Sequence, residues 1–169
     1  DIHKQGLAYV FPVGLKAGEE KMLSVINSMF TYDGFPIFGG TAGDDAKFDV
    51  TKVSVNGKIS TTGGATVFMK PNVDFSIYKE NIFESTGHRV KITKADAEKR
   101  IVYEMNNRPA TQVYAELIGT TVSNLSSQLS FHPLGRKFND DFLIASPFEA
   151  LPDGSVSFYC QVYEGANVE

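Results

Sequence analysis

The residues whose types and spacing point to chemistry lie in two places. The first is Gly39, Gly40, Thr41, Gly43 and Asp44, within the stretch PIFGGTAGDD. Glycines there let the backbone turn with positive φ or approach a ligand with no Cβ in the way. Thr41 offers a hydroxyl, and Asp44 and Asp45 offer carboxylates able to receive an amine or a hydroxyl. The plainer reading of the same residues is a strand followed by a tight turn that Asp44 caps, because Gly/Asp clusters are the usual punctuation of loops. The stretch has neither the Lys-Ser/Thr ending of a phosphate loop nor the G-x-G-x-x-G spacing of a dinucleotide site. The second place is the loop Phe131–Arg136, where His132 is flanked by Phe131 and Pro133. Arg136 and Lys137 follow a glycine and suit a carboxylate or propionate, although such a pair is more often a solvated loop.

Nucleophilic catalysis needs a nucleophile, a base and an orienting group. Ser146, Thr41 and Cys160 each pair on paper with His88 or His132, yet no local motif supports a pairing. The chain is therefore read as a binding module and not an enzyme. The alternative is a hydrolase or transferase using Thr41 or Asp44 beside the glycine-rich loop. A third reading is a module that only mediates protein association. His3, His88 and His132 do not have the spacing of a zinc site. Haem needs one axial histidine in an apolar pocket, and for that role His132 ranks ahead of His88 and His3. A histidine beside an aromatic is more often an ordinary loop or core residue, so no cofactor is expected, haem being the alternative. Cys160, in a β-prone run, reads as a buried structural cysteine.

These residues need a framework, and the sequence punctuates one. Leu7–Val13 reads as a buried strand, which Gly14–Gly18 turns into a helix opened by Glu19 and Glu20. Met22, Leu23, Ile26, Met29 and Phe30 recur along it at three- and four-residue intervals. Tyr32-Asp33-Gly34 ends the helix, and Pro36–Phe38 is a second strand parallel to the first, in a βαβ-type unit. Residues 47–79 read as an antiparallel meander. Its parts are a strand over Lys47–Val55, the Asn56-Gly57 hairpin, a return over Lys58–Ser60, a turn at Thr61–Gly64, and strands at Ala65–Met69 and Phe75–Tyr78. Arg89–Thr93 and Arg100–Met105 alternate as strands about a turn at Lys94–Glu98. Pro109 opens a helix carrying Ala110, Val113, Tyr114 and Leu117, which Gly119 stops. Asn124–Leu129 reads as another short helix, and Leu143–Ala145 and Ser155–Val162 as strands separated by Pro152-Asp153-Gly154. The fold class is mixed α/β, with a βαβ-like start, the meander and a few packed helices. Two lobes, 1–82 and 83–169, meet around Asn81–Gly87.

Composition bounds the partners. A chain of 169 residues, 42% hydrophobic and 21% charged, is that of a folded protein with a sizeable core. A net charge of −4 with no basic stripe argues against nucleic acid. No run approaches the roughly 18 apolar residues of a membrane span, and DIHKQGLAYV lacks the apolar core of a signal peptide. With Cys160 as its one cysteine the chain has no intrachain disulfide, and the expected compartment is reducing.

The order of these motifs resembles a known family. PIFGGTAGDD, the Asn56-Gly57 hairpin, Pro109-Ala110 with Tyr114, then Pro133-Leu134-Gly135, Asp153-Gly154-Ser155 and Glu164-Gly165 look like the FIST sensory domain. Residues 1–82 resemble part of its N-terminal half and 83–169 part of its C-terminal half. The family's domain is longer, so the resemblance implies that the beginning of the first half and the end of the second are missing. Where the family often has an arginine after Pro-Leu-Gly, this chain reads Leu143, Ile144, Ala145 and Ser146. The resemblance implies a cytoplasmic, bacterial module that binds a small polar molecule such as an amino acid. Its signalling partner would be a histidine kinase, chemoreceptor or diguanylate cyclase. Some relatives are described as haem-based nitric oxide sensors. The pocket expected on this basis combines Gly39, Gly40, Thr41, Gly43 and Asp44 with His132 and Arg136.

Overall fold

The computed structural model describes residues 6–14, 16, 18–30, 34–45, 47–138 and 141–169, and divides into two compact units, Asp1–Lys79 and Glu80–Glu169. In the first unit β1 (Leu7–Pro12) runs parallel to β2 (Ile37–Gly39), with Ala8 opposite Ile37 and Val10 opposite Gly39. The crossover between them holds α1 (Glu19–Met29), whose first turn carries Glu19 and Glu20 at the positive end of the helix dipole. The helix buries Ile26, which clusters with Val10 and Phe30, and Phe30 stacks on Phe35 at 3.8 Å between centroids. Of the expected helix end, Tyr32 and Asp33 lie outside the described residues, and Gly34 has φ +95°.

The stretch expected as a meander is organised differently. Only Val53–Val55 of the Lys47–Val55 strand forms, as β3, and it pairs with β4 (Lys58–Ser60) across Asn56 and Gly57, both at positive φ. The preceding residues cannot join a ladder because the amides of Phe48 and Asp49 donate to the Asp44 carboxylate and Phe48 sits at φ +55°. The next strand, β5 (Gly64–Met69), pairs antiparallel with β1 and not with β4. Phe75–Tyr78 forms no strand, and Tyr78 is 84% exposed.

The second unit is built on β6 (Val90–Asp96) and β7 (Ile101–Met105), an antiparallel pair in which Ile92 faces Met105. Their turn falls at Ala97–Arg100, later than the alternation suggests. Asp96 accepts the Lys99 amide at 3.1 Å and its ammonium at 2.9 Å, which draws the turn beyond the strand. The short β8 (Arg108–Pro109) pairs with β7 and leads into α2 (Ala110–Leu117), which ends where Gly119 takes φ +69°. The short helix expected at Asn124–Leu129 is instead 3₁₀, over Val122–Ser127 and Leu129–Phe131.

The remaining strands are β9 (Leu134–Phe138), β10 (Asp141–Ala145), β11 (Pro147–Ala150), β12 (Val156–Phe158) and β13 (Asn167–Val168). Among the described residues the sheet order is β11-β12-β7-β6-β13, with Pro147 beginning its edge strand, where a missing N–H is tolerated. β9 and β10 form a hairpin, tied to the end of β13 by reciprocal backbone bonds between Gly135 and Glu169 at 2.6 and 2.8 Å. The expected strand Ser155–Val162 shortens to β12; the Tyr159 amide still donates to Ser146 O, just before β11, and Cys160 is half-buried beyond the strand. Ile92, Val102, Met105, Tyr114, Leu125 and Val156 form the centre of the core.

Candidate functional site

Gly39, in the glycine-rich stretch of the first unit, is required by close backbone approach. A Cβ on Gly39 would lie 1.8 Å from the Val10 carbonyl oxygen, so glycine is what allows β2 to approach β1 there. Beyond it the Gly40 amide donates to Val10 O at 3.1 Å and the Ala42 amide to Pro12 O at 2.9 Å. Gly40 and Gly43 face open space, and Thr41 is exposed. The Asp44 carboxylate accepts from Phe48 at 3.0 Å and Asp49 at 2.6 Å. The Asp49 amide is the main influence holding that carboxyl below its ordinary pKa. A cavity of about 470 Å³ in this unit lies between α1 and β5, lined by Met22, Ile26, Gly64 and Phe68 with Lys16 and Lys21. Gly39–Asp44 is not part of its lining.

In the second unit, a cavity of about 280 Å³ opens where α2, the end of β6 and the β9–β10 hairpin converge. Val90, Tyr114, Leu117, Leu134, Phe142 and Ile144 give it an apolar interior. The helical spacing that makes α2 amphipathic also directs Tyr114 inward. Its hydroxyl donates to the His132 carbonyl at 2.5 Å, which pins the segment leading into β9. Burial pushes the phenol pKa well above its usual value, so it remains a neutral donor. Polar groups come from the segment that precedes β6, with Glu84, Ser85, Thr86 and His88, and from His132 and Glu169. The Ser85 hydroxyl donates to Glu169 Oε2 at 2.7 Å, and the Arg89 guanidinium stands 4.0 Å from the same oxygen.

His132 and His88, the histidines ranked first and second, thus line one cavity, while His3 lies outside the described residues. Arg136, on β9, is exposed and is absent from the lining. Sequence reasoning missed Ser85, Glu169 and Phe142, which have no motif and meet only through the pairing of Glu169 with Gly135. A porphyrin is several times larger than an amino acid, and a 280 Å³ cavity, just below the usual range for small-molecule sites, does not hold one in this form. Among the described residues no group of three or more His, Cys, Asp or Glu side chains is placed to hold a metal ion. None of the helices they form is long and apolar enough to cross a membrane.

The two units together are a mixed α/β fold of strand pairs with few helices. The FIST N domain model matches residues 3–108 and the FIST C domain model residues 110–169; the chain belongs to the FIST family, whose members are sensory domains of signalling proteins. The cavity draws on both matches: Val90 and the segment before it come from the first, and Tyr114 to Glu169 from the second. The chain is also similar to an uncharacterised protein of Methanocaldococcus jannaschii, 30% identical over 118 residues. That alignment covers 70% of this chain but 22% of the relative's length. No solved structure matches the chain at a significant level.

Proposed function

We propose that this chain is a ligand sensor that binds a small polar molecule of metabolite size in the cavity of the second unit, and not an enzyme. The observation that carries the reading is the cavity itself, where an apolar interior adjoins the Ser85 hydroxyl and the Glu169 carboxylate, hydrogen-bonded to each other, with His132 also in the lining. Amino acids belong to the size class it admits. Signalling requires that the ligand favour one conformation over another. The segment 81–88 suits that role, because it lines the cavity and continues directly into β6. The partner would be a signalling protein such as a histidine kinase, chemoreceptor or diguanylate cyclase, and the compartment the cytoplasm. Gly39–Asp44 acts in this reading as a structural turn that supports β1.

A thermal-shift screen of the purified chain against small polar metabolites tests the proposal. A ligand at a hundred times its dissociation constant adds about 2.7 kcal/mol, enough to raise the midpoint by several degrees. Ile144→Trp, which fills the cavity, abolishes that shift, whereas Gly40→Val, whose added side chain meets open space, leaves it intact. A shift that persists in Ile144→Trp and disappears in Gly40→Val would move the site to the first unit.

A further inference from the structure

The charge of the lining is one-sided. Among the described residues that line the second unit's cavity there is no lysine or arginine, whereas two carboxylates, Glu84 and Glu169, do line it. Glu169 is the better placed of the two, its side chain being 11% exposed with Oε2 accepting from Ser85 at 2.7 Å. Arg89 stands 4.0 Å from it with a side chain 79% exposed. It lines a separate depression with Lys137, which Glu169 also lines, and is absent from the cavity's lining. The aromatic rings of Phe83, Phe131 and Phe142 also line the cavity.

We infer that the cavity selects a small primary amine with an apolar body and no carboxylate, an inference that rests on the sensor reading of the same cavity. An ammonium group gains charge-assisted hydrogen bonds from carboxylate oxygens, and aromatic faces add attraction for a cation. An α-amino acid presents the same ammonium together with a carboxylate. Desolvating that carboxylate beside Glu84 and Glu169, with no cation in the lining to receive it, opposes binding. The Val90, Leu117 and Ile144 walls take the apolar body in either case.

Calorimetric titration of the full chain with 2-phenylethylamine, L-phenylalanine and 3-phenylpropionate tests this at pH 8, where imidazole is ordinarily uncharged. The amine is expected to bind at least about tenfold more tightly than the amino acid, and Glu169→Gln to weaken it by about tenfold while Glu169→Asp retains most of the affinity. Because Glu169→Gln also alters the bond to Ser85, Glu84→Gln provides a second variant with the same expected direction. Equal or tighter binding of L-phenylalanine or 3-phenylpropionate overturns the inference, as does amine affinity unchanged in both Gln variants. If the amine fails while another small metabolite binds and loses its affinity in Ile144→Trp, the selectivity is overturned and the sensor reading stands. If no compound shifts the amide resonances of Val90, Tyr114 and His132, both fall.

Discussion

The helix of the first unit and the helix of the second make different use of their apolar faces. In α1 only Ile26 is buried, while Val25 and Met29 are 52% and 59% exposed. In α2 five of eight residues, from Ala110 to Ala115, are buried against β7 and the 3₁₀ turns. Around α1 the buried cluster is Val10, Ile26 and Phe30; around α2 it runs from Val90 to Val168 through three layers of strand, helix and turn. The difference teaches where a preformed site can exist. A cavity keeps its shape only if its walls are held by dense packing behind them. Tyr114, Leu134 and Val90 have that backing, so the second unit is where a ligand meets a fixed surface.

Five substitutions test this contrast. The largest effect is expected from Ile92→Ala, at a position with no exposure in the second core, which should lower unfolding free energy by about 4 kcal/mol in urea titration. The matching core change in the first unit, Ile26→Ala, should cost less, about 2 kcal/mol, because Met22, Phe35 and Ile37 around it are only partly buried. A comparable loss in both would erase the distinction between the cores. Gly39→Ala places a methyl against Val10 O and should destabilise the β1–β2 pair by about 3 kcal/mol, seen as lost amide-exchange protection of Ala8 and Gly40. Amides of Ile92 and Met105 should stay protected, and their joint loss would mean that the units unfold as one.

Tyr114→Phe removes one hydrogen bond to His132 and should cost about 1 kcal/mol, with resonance shifts centred on Phe131–Leu134. The smallest effect concerns acid. Because the Asp44 carboxyl is held below its ordinary pKa by the Asp49 amide and its neighbours, its contribution to stability is present above about pH 4. It is lost as the pH falls through the depressed value. Asp44→Asn should therefore slightly lower the neutral plateau of the first unit's stability profile and flatten its acid limb, leaving stability below the depressed value unchanged. An acid limb of unaltered slope would leave Asp44 without that role.

Much of the framework was legible because local chemistry decided it. The three- and four-residue recurrence of Met22, Ile26 and Phe30 specified α1, Asn56-Gly57 specified the hairpin, and Pro109 with Gly119 bracketed α2. The alternation that suggested a strand from Lys47 was real but lost to a competitor, since the Asp44 carboxylate captured the amides a ladder would have used. β9 and β13 were illegible for the opposite reason. Gly135 and Glu169 pair across more than thirty residues of intervening chain, and nothing near either one announces the other. The candidate site inherits that difficulty. His132 was visible as a histidine beside an aromatic, but the carboxylate and hydroxyl that give the cavity its charge meet only after the hairpin, the last strand and the segment before β6 are in place.

The position of β1 also governs when each part of the chain takes shape. β6 and β7 close over the short turn Ala97–Arg100, and a hairpin of that kind forms in about 1–10 μs. β1 must wait for β2, beyond the helix, and for β5, which reaches it only after the β3–β4 hairpin, so both of its ladders close long loops. Its partners are thus synthesised after it, and the register of β1 with β5, from Pro12 opposite Gly64 to Leu7 opposite Met69, spans the helix and the β3–β4 hairpin. Leu7, Ala8 and Val10 remain uncovered in the meantime, so β1 is a segment that needs protection during folding.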